Sequence, residues 1–437
     1  MTYWQKTLAL MAVALMPATV LAQDVAPKID SGNTAWMLVA TALVLLMTLP
    51  GLALFYGGLV RKINVLNTLM QCFAIACVVT FIWIIAGYSI SFYGGMDGVV
   101  PGYLGSMERF MLQGMTVHSV HPLAPSIPES VFMMYQMTFA IITPALIVGA
   151  IVERIKFSSM MAFMALWSIL VYTPIAHMVW GGGVLGVKGV LDYAGGTVVH
   201  ISAGIAALVM CLMLGRRQGW RHDAAGFEPH NLALSVIGAS LLWVGWFGFN
   251  AGSALAADGR AGMAMTATHL ATASAAIFWM CCEWAAKGRP TTFGMITGAV
   301  AGLVAITPGA GFVDTKGALI IGALAGVFCF YASTYLKAAL KYDDSLDVFG
   351  VHGIGGILGS VLVGVFAVKA VGGTAGMIEG NTAQLWIQVQ SVLIVMAWSA
   401  VGTWLIAKAV DIVMGLRASP ADERVGLDKA LHGEMIN

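Results

Sequence analysis

Asp192-Tyr193-Ala194-Gly195-Gly196-Thr197-Val198-Val199-His200 and Asp344-Ser345-Leu346-Asp347-Val348-Phe349-Gly350-Val351-His352 read as two copies of one pattern. In each, a carboxylate stands eight residues before a histidine, and an apolar, glycine-rich run follows, 201–208 in the first and 353–363 in the second. Eight residues of helix rise about 12 Å. A hydrocarbon core is about 30 Å thick, so its middle lies about 15 Å from either face. With each Asp at a membrane surface, His200 and His352 fall near the midplane. An ionisable side chain is costly there and is a functional candidate by default.

The membrane reading follows from composition. The chain has 437 residues, of which 59% are hydrophobic and 10% charged, with mean hydropathy +0.86. A soluble domain carries about 25% charged residues. The formal net charge of +1 gives no sign of nucleic acid. The 52 glycines suit close helix packing, because small residues let backbones approach inside a bilayer. All six cysteines fall in apolar spans, and their spacing suggests neither a disulfide framework nor zinc.

Residues 1–22 have the form of a cleaved signal peptide. Lys6 supplies the positive start, 7–16 the short apolar run, and Val20-Leu21-Ala22 the small-residue cleavage pattern. Eleven apolar spans follow, at about 35–59, 68–92, 130–152, 157–178, 196–214, 231–252, 263–286, 292–309, 317–336, 350–368 and 384–410. Odd-numbered loops are richer in cations (Arg61 and Lys62; Arg154 and Lys156; Arg216, Arg217 and Arg221; Lys287 and Arg289; Lys337 and Lys341) than even ones (Arg109, Lys188, Arg260, Lys316, Lys369). Basic loops stay cytoplasmic, so the N-terminus lies outside and the tail, with Arg417, Arg424 and Lys429, inside.

The expected fold is an all-α polytopic membrane protein. Spans one to five and six to ten form an inverted 5+5 repeat, and a final helix completes eleven transmembrane helices. Gly51 to Gly58 in span one also echoes Gly245 to Gly252 in span six. Inverted repeats place a substrate path at their interface. His200 and His352 then approach one depth from opposite faces, where paired imidazoles can pass a proton. Two histidines without a further ligand make an incomplete metal site, and no metal or cofactor is expected. Asp192 and Asp344, just before helices, suit caps on backbone N–H groups; direct cation contact is the alternative. Trp180 follows span four, Tyr135 and Phe139 lie four apart on one face of span three, and Ser253 ends span six. A cation site and an interfacial aromatic belt both fit this spacing.

The chain resembles bacterial ammonium transporters of the Amt/Rh family over nearly its whole length after the signal. The motifs are Pro50 to Leu59, Pro174 to Gly183, Asp192 to His200, Gly245 to Ser253 and Asp347 to Gly353. The resemblance implies a homotrimer with one pore per subunit, in the bacterial inner membrane, carrying ammonium or ammonia, with methylammonium as analogue. It implies that Trp180, Phe139 and Ser253 form an outer recruitment site, with Tyr135 where close relatives carry Phe. It makes Phe139 and Phe249 a gate, His200 and His352 the twin histidines of the pore, Trp246 a pore-lining residue, and Asp192 a structural group at the entrance. Residues 23–414 would be the transporter domain and 415–437 a cytoplasmic regulatory tail that helps a PII-type signalling protein (GlnK) dock. A neutral NH3/CO2 conduit and an ammonium receptor are the alternative functions. An enzyme is not expected, because no nucleophile–base set appears.

Overall fold

Polar residues at loop ends decide where several helices begin. Asp30, Asn231, Asp258, Thr291 and Asp314 each accept a hydrogen bond from the backbone N–H three residues on, at 2.8–3.1 Å, which satisfies a donor the helix cannot. The computed structural model describes residues 28–220 and 226–436. The expected signal segment and Arg221 lie outside the described residues.

Among the described residues, ten helices are long and apolar enough to cross a membrane. We number them, with one shorter apolar helix, as α1 (Ser31–Leu59), α2 (Lys62–Phe92), α3 (Glu129–Ile151), α4 (Phe157–Val187), α5 (Gly196–Leu214), α6 (Leu232–Gly252), α7 (Gly259–Lys287), α8 (Thr292–Ile306), α9 (Thr315–Leu340), α10 (Phe349–Phe366) and α11 (Thr382–Met414). No strand occurs among the described residues. Helix α8 has 15 residues, about 22 Å of rise, and stops short of the expected 309 because Pro308 cannot continue it. Helix α1 breaks at Leu49, whose φ of −122° and ψ of 100° are not helical; Pro50 follows and disfavours the α conformation there.

The two halves pack alike. Helix α1 meets α3 as α6 meets α8, and α3 meets α5 as α8 meets α10, while α1 lies along α6 and α11 covers α4, α5 and α10. Where α5 crosses α10 the backbones nearly touch: a Cβ on Gly204 would stand 2.3 Å from the Gly353 nitrogen. Only glycine permits that crossing.

Helix α5 starts at Gly196 and the wide first turn of α10 at Phe349, so the carboxylates precede the helices rather than ride on them, and the eight residues from Asp to His are not one continuous helical rise. The intervening residues form the caps described below.

The tail is ordered. Pro420–Val425 is a short helix opened by a reciprocal Ser419–Asp422 cap. The Asp428 carboxylate accepts from the N–H groups of Leu66 (3.0 Å) and Asn67 (2.7 Å) at the start of α2. Glu423 accepts from Arg417 Nε at 2.6 Å and from the Gln218 N–H at 3.1 Å. Beside the tail, Arg217 bridges Glu153 (2.6 Å) and Asp343 (2.8 Å), and Arg61 joins Glu153 at 3.0 Å. Burial pushes the Glu153 carboxyl up, but Arg217 and Arg61 outweigh it and hold it below the usual range.

Candidate functional site

The Gly204–Gly353 crossing brings the two histidines together. Both ride in widened helical turns, Gly196–Ile201 and Phe349–Gly353, a distortion that recurs at functional sites. His200 Nδ1 and His352 Nδ1 are 3.2 Å apart, and the rings stack at 5.3 Å between centroids, tilted by 23°. One nitrogen must donate and the other accept, so the neutral pair holds opposite tautomers. His200 also stacks on Trp246 at 5.4 Å and 20°. Trp246 is held by its indole N–H, which donates to Thr307 Oγ1 at 2.9 Å. His200 Nε2 is buried and has no protein partner.

The imidazoles line a narrow cavity whose other walls are apolar, among them Leu52, Phe55, Ile142, Leu146, Trp246 and Phe249. A second narrow cavity continues past His352, along Phe55, Val300 and Val351, to Leu59 and Leu346. On the opposite side Phe249 stacks on Phe139 at 4.2 Å and 25°. Phe139 also forms a wall of a vestibule of 260 Å³, with Trp180, Ser253, Gln136 and Tyr193. The phenylalanine pair thus stands between vestibule and histidines. Trp180 meets Phe139 edge to face at 5.8 Å.

Each expected residue has a definite place. Asp192 is a cap: its carboxylate accepts from the N–H groups of Gly195 (2.8 Å), Gly196 (2.6 Å), Thr197 (2.9 Å) and Val198 (3.1 Å), and from the Thr197 hydroxyl. Its backbone carbonyl receives the Trp180 indole N–H at 2.8 Å, so the cap also sets a vestibule wall. Asp344 does the parallel work at α10, accepting from the Phe349 N–H at 2.7 Å, and its other oxygen has no partner. Burial pushes its carboxyl up to about 6, and neighbouring Asp347 adds to the shift.

Tyr135 sits differently from expectation. It is fully buried, and its hydroxyl turns to the carbonyls of Phe249 (2.8 Å) and Gly248 (3.0 Å) instead of facing the vestibule. The sequence reading missed Gln136 and Tyr193, whose oxygens are buried without a partner at the vestibule wall. A lone amide in the apolar run of α3 was the available signal for Gln136; for Tyr193, which sits inside the quoted motif, only the fold shows its direction.

Residues 35–436 match the family model described as Ammonium Transporter Family. This chain belongs to the ammonium transporter family. An ammonium transporter of Aquifex aeolicus is 49% identical over 93% of each chain. Among solved structures, Mep2 of Saccharomyces cerevisiae aligns with a TM-score of 0.82 at 35% identity, covering 90% of this chain and 88% of that one. A structure described as a sensor Amt protein aligns with a TM-score of 0.84 at 29% identity, covering 92% and 98%. The chain is therefore a multi-pass membrane protein with ammonium transporter function, and not an enzyme.

Proposed function

We propose that this ammonium transporter separates the ion it carries: ammonia crosses the apolar passage, and its proton travels along His200 and His352. The observation that carries this reading is the 3.2 Å contact between two imidazole nitrogens in a cavity walled otherwise by hydrocarbon and aromatic side chains.

Recruitment comes first. The faces of Trp180 and Phe139 attract a cation, and Ser253, Gln136 and Tyr193 offer oxygen acceptors around the vestibule. Beyond the Phe139–Phe249 gate a bare cation loses its hydration without replacement, which is prohibitive. Potassium has no way round that penalty. Ammonium releases a proton to His200 Nε2 and continues as NH3; proton transfer between the Nδ1 atoms exchanges the tautomers of the pair and delivers a proton from His352. Ammonia and proton recombine at the far end, and one charge moves per ion.

The vestibule faces the periplasm of the inner membrane and the tail the cytoplasm, three chains assemble as a homotrimer, and the tail face receives a PII-type protein (GlnK). The basic loops and the ordered tail support this placement. A receptor reading draws on the likeness to a sensor Amt protein; absent transport with intact PII binding favours it.

Solid-supported-membrane electrophysiology on proteoliposomes tests the main reading. Ammonium and methylammonium should evoke current and potassium none. Ammonia flux without current would instead make the chain a neutral conduit.

A further inference from the structure

The two gate rings ride on different helices, Phe139 on α3 and Phe249 on α6. Their overlap therefore depends on what fixes α3 against α6 at this level. Tyr135 lies one turn before Phe139 on α3, its ring 5.0 Å from the Phe139 ring. Its hydroxyl donates to the carbonyl of Phe249 itself at 2.8 Å, with the Gly248 carbonyl at 3.0 Å and Ser253 Oγ at 3.2 Å. The Phe249 carbonyl falls in the last turn of α6, where carbonyls lack helical partners, and the Ser253 hydroxyl also donates to it at 2.9 Å. Gly252 makes the room: a Cβ there would stand 2.7 Å from the Tyr135 oxygen. A phenol buried behind the wall and bonded to backbone is not placed to hold a cation. It is placed to hold two helices.

We infer that the Tyr135 hydroxyl is a positioning group for the gate. It ties α3 to α6 at the Phe249 carbonyl, keeps Phe139 and Phe249 in their 4.2 Å stack, and thereby sets how bulky an ammonium passes. The inference rests on the gate reading above. Without the tie the rings part more readily, and the larger, methylated ammonium gains more than ammonium does.

The test is the ratio of methylammonium to ammonium current in proteoliposomes. Tyr135→Phe deletes one buried hydrogen bond, so the ratio should rise by about three- to ten-fold. In a Phe139→Ala background, where no stack remains to hold, the same substitution should shift the ratio by less than about two-fold, the scatter of independent sites. Gly252→Ala crowds the hydroxyl out of place without removing it and should raise the ratio as well. A ratio unchanged in Tyr135→Phe with current intact, or an equal shift with and without the Phe139 ring, overturns the positioning role alone. Wild-type protein that gives no ammonium current overturns the transport reading beneath it.

Discussion

Asp192→Ala separates the two roles open to a carboxylate at the entrance, a helix cap or a cation contact. The carboxylate accepts four backbone N–H groups and one hydroxyl and is 5% exposed. A buried donor left without a partner costs about 1–3 kcal/mol. If two of the five find no replacement, the variant loses on the order of 4 kcal/mol. At roughly 2 °C per kcal/mol for a large chain, melting should fall on the order of 5–10 °C. Trp180 should shift as well, because its indole donates to the Asp192 carbonyl. Thermal melting in detergent, followed by tryptophan fluorescence, reads both effects, and currents from the same preparation read transport. Asp192→Asn should fall between, since one amide oxygen still accepts while its NH2 opposes the remaining donors. An Asp192→Ala protein that melts like wild type but carries no ammonium current would refute the cap and point to direct contact with the ion.

Two further outcomes follow from the same geometry. The Asp344 carboxyl, pushed up to about 6 from 3.8, is protonated in the folded chain between about pH 4 and 6, where the unfolded chain has released its proton. Stability should therefore increase as pH falls through 6 toward 4, by on the order of 3 kcal/mol. Asp344→Asn keeps an acceptor for the Phe349 N–H and should flatten that slope in melting curves; an unchanged slope assigns it to another group. Gly204→Ala places a methyl 2.3 Å from the Gly353 nitrogen, so α5 and α10 must part and the histidine contact lengthens beyond hydrogen-bond reach. Ammonium current should drop by about ten-fold or more, and a current near wild type would contradict a role for that contact in transport.

Much of this was legible in the residues because membrane helices repeat a simple physical pattern. Apolar runs marked most span ends to within about four residues; the exceptions are the start of α2, six residues earlier than expected, and the end of α4, nine residues later, while α7 and α9 start where Asp258 and Asp314 bind backbone. The matched Asp and His in two copies pointed to a facing pair, and the two similarly packed halves do bring His200 and His352 together where α5 crosses α10. What stayed hidden depends on three dimensions. Periodicity put Tyr135 on the Phe139 face but could not say that its hydroxyl turns behind that face to α6. The Arg61–Glu153–Arg217–Asp343 network joins four loops whose residues are far apart in sequence, and no local pattern pairs them. The glycine crossing at Gly204 and Gly353 was one among 52 glycines until the helices were placed.

The histidine pair carries the whole reading, and one measurement addresses it directly. Currents evoked by ammonium and by potassium should be compared between wild type and a His200→Leu/His352→Leu protein reconstituted at equal density. With the relay removed, the expected result is loss of the ammonium current or of its selectivity over potassium. A double variant that still carries ammonium-specific current at full size would contradict proton passage through the imidazoles.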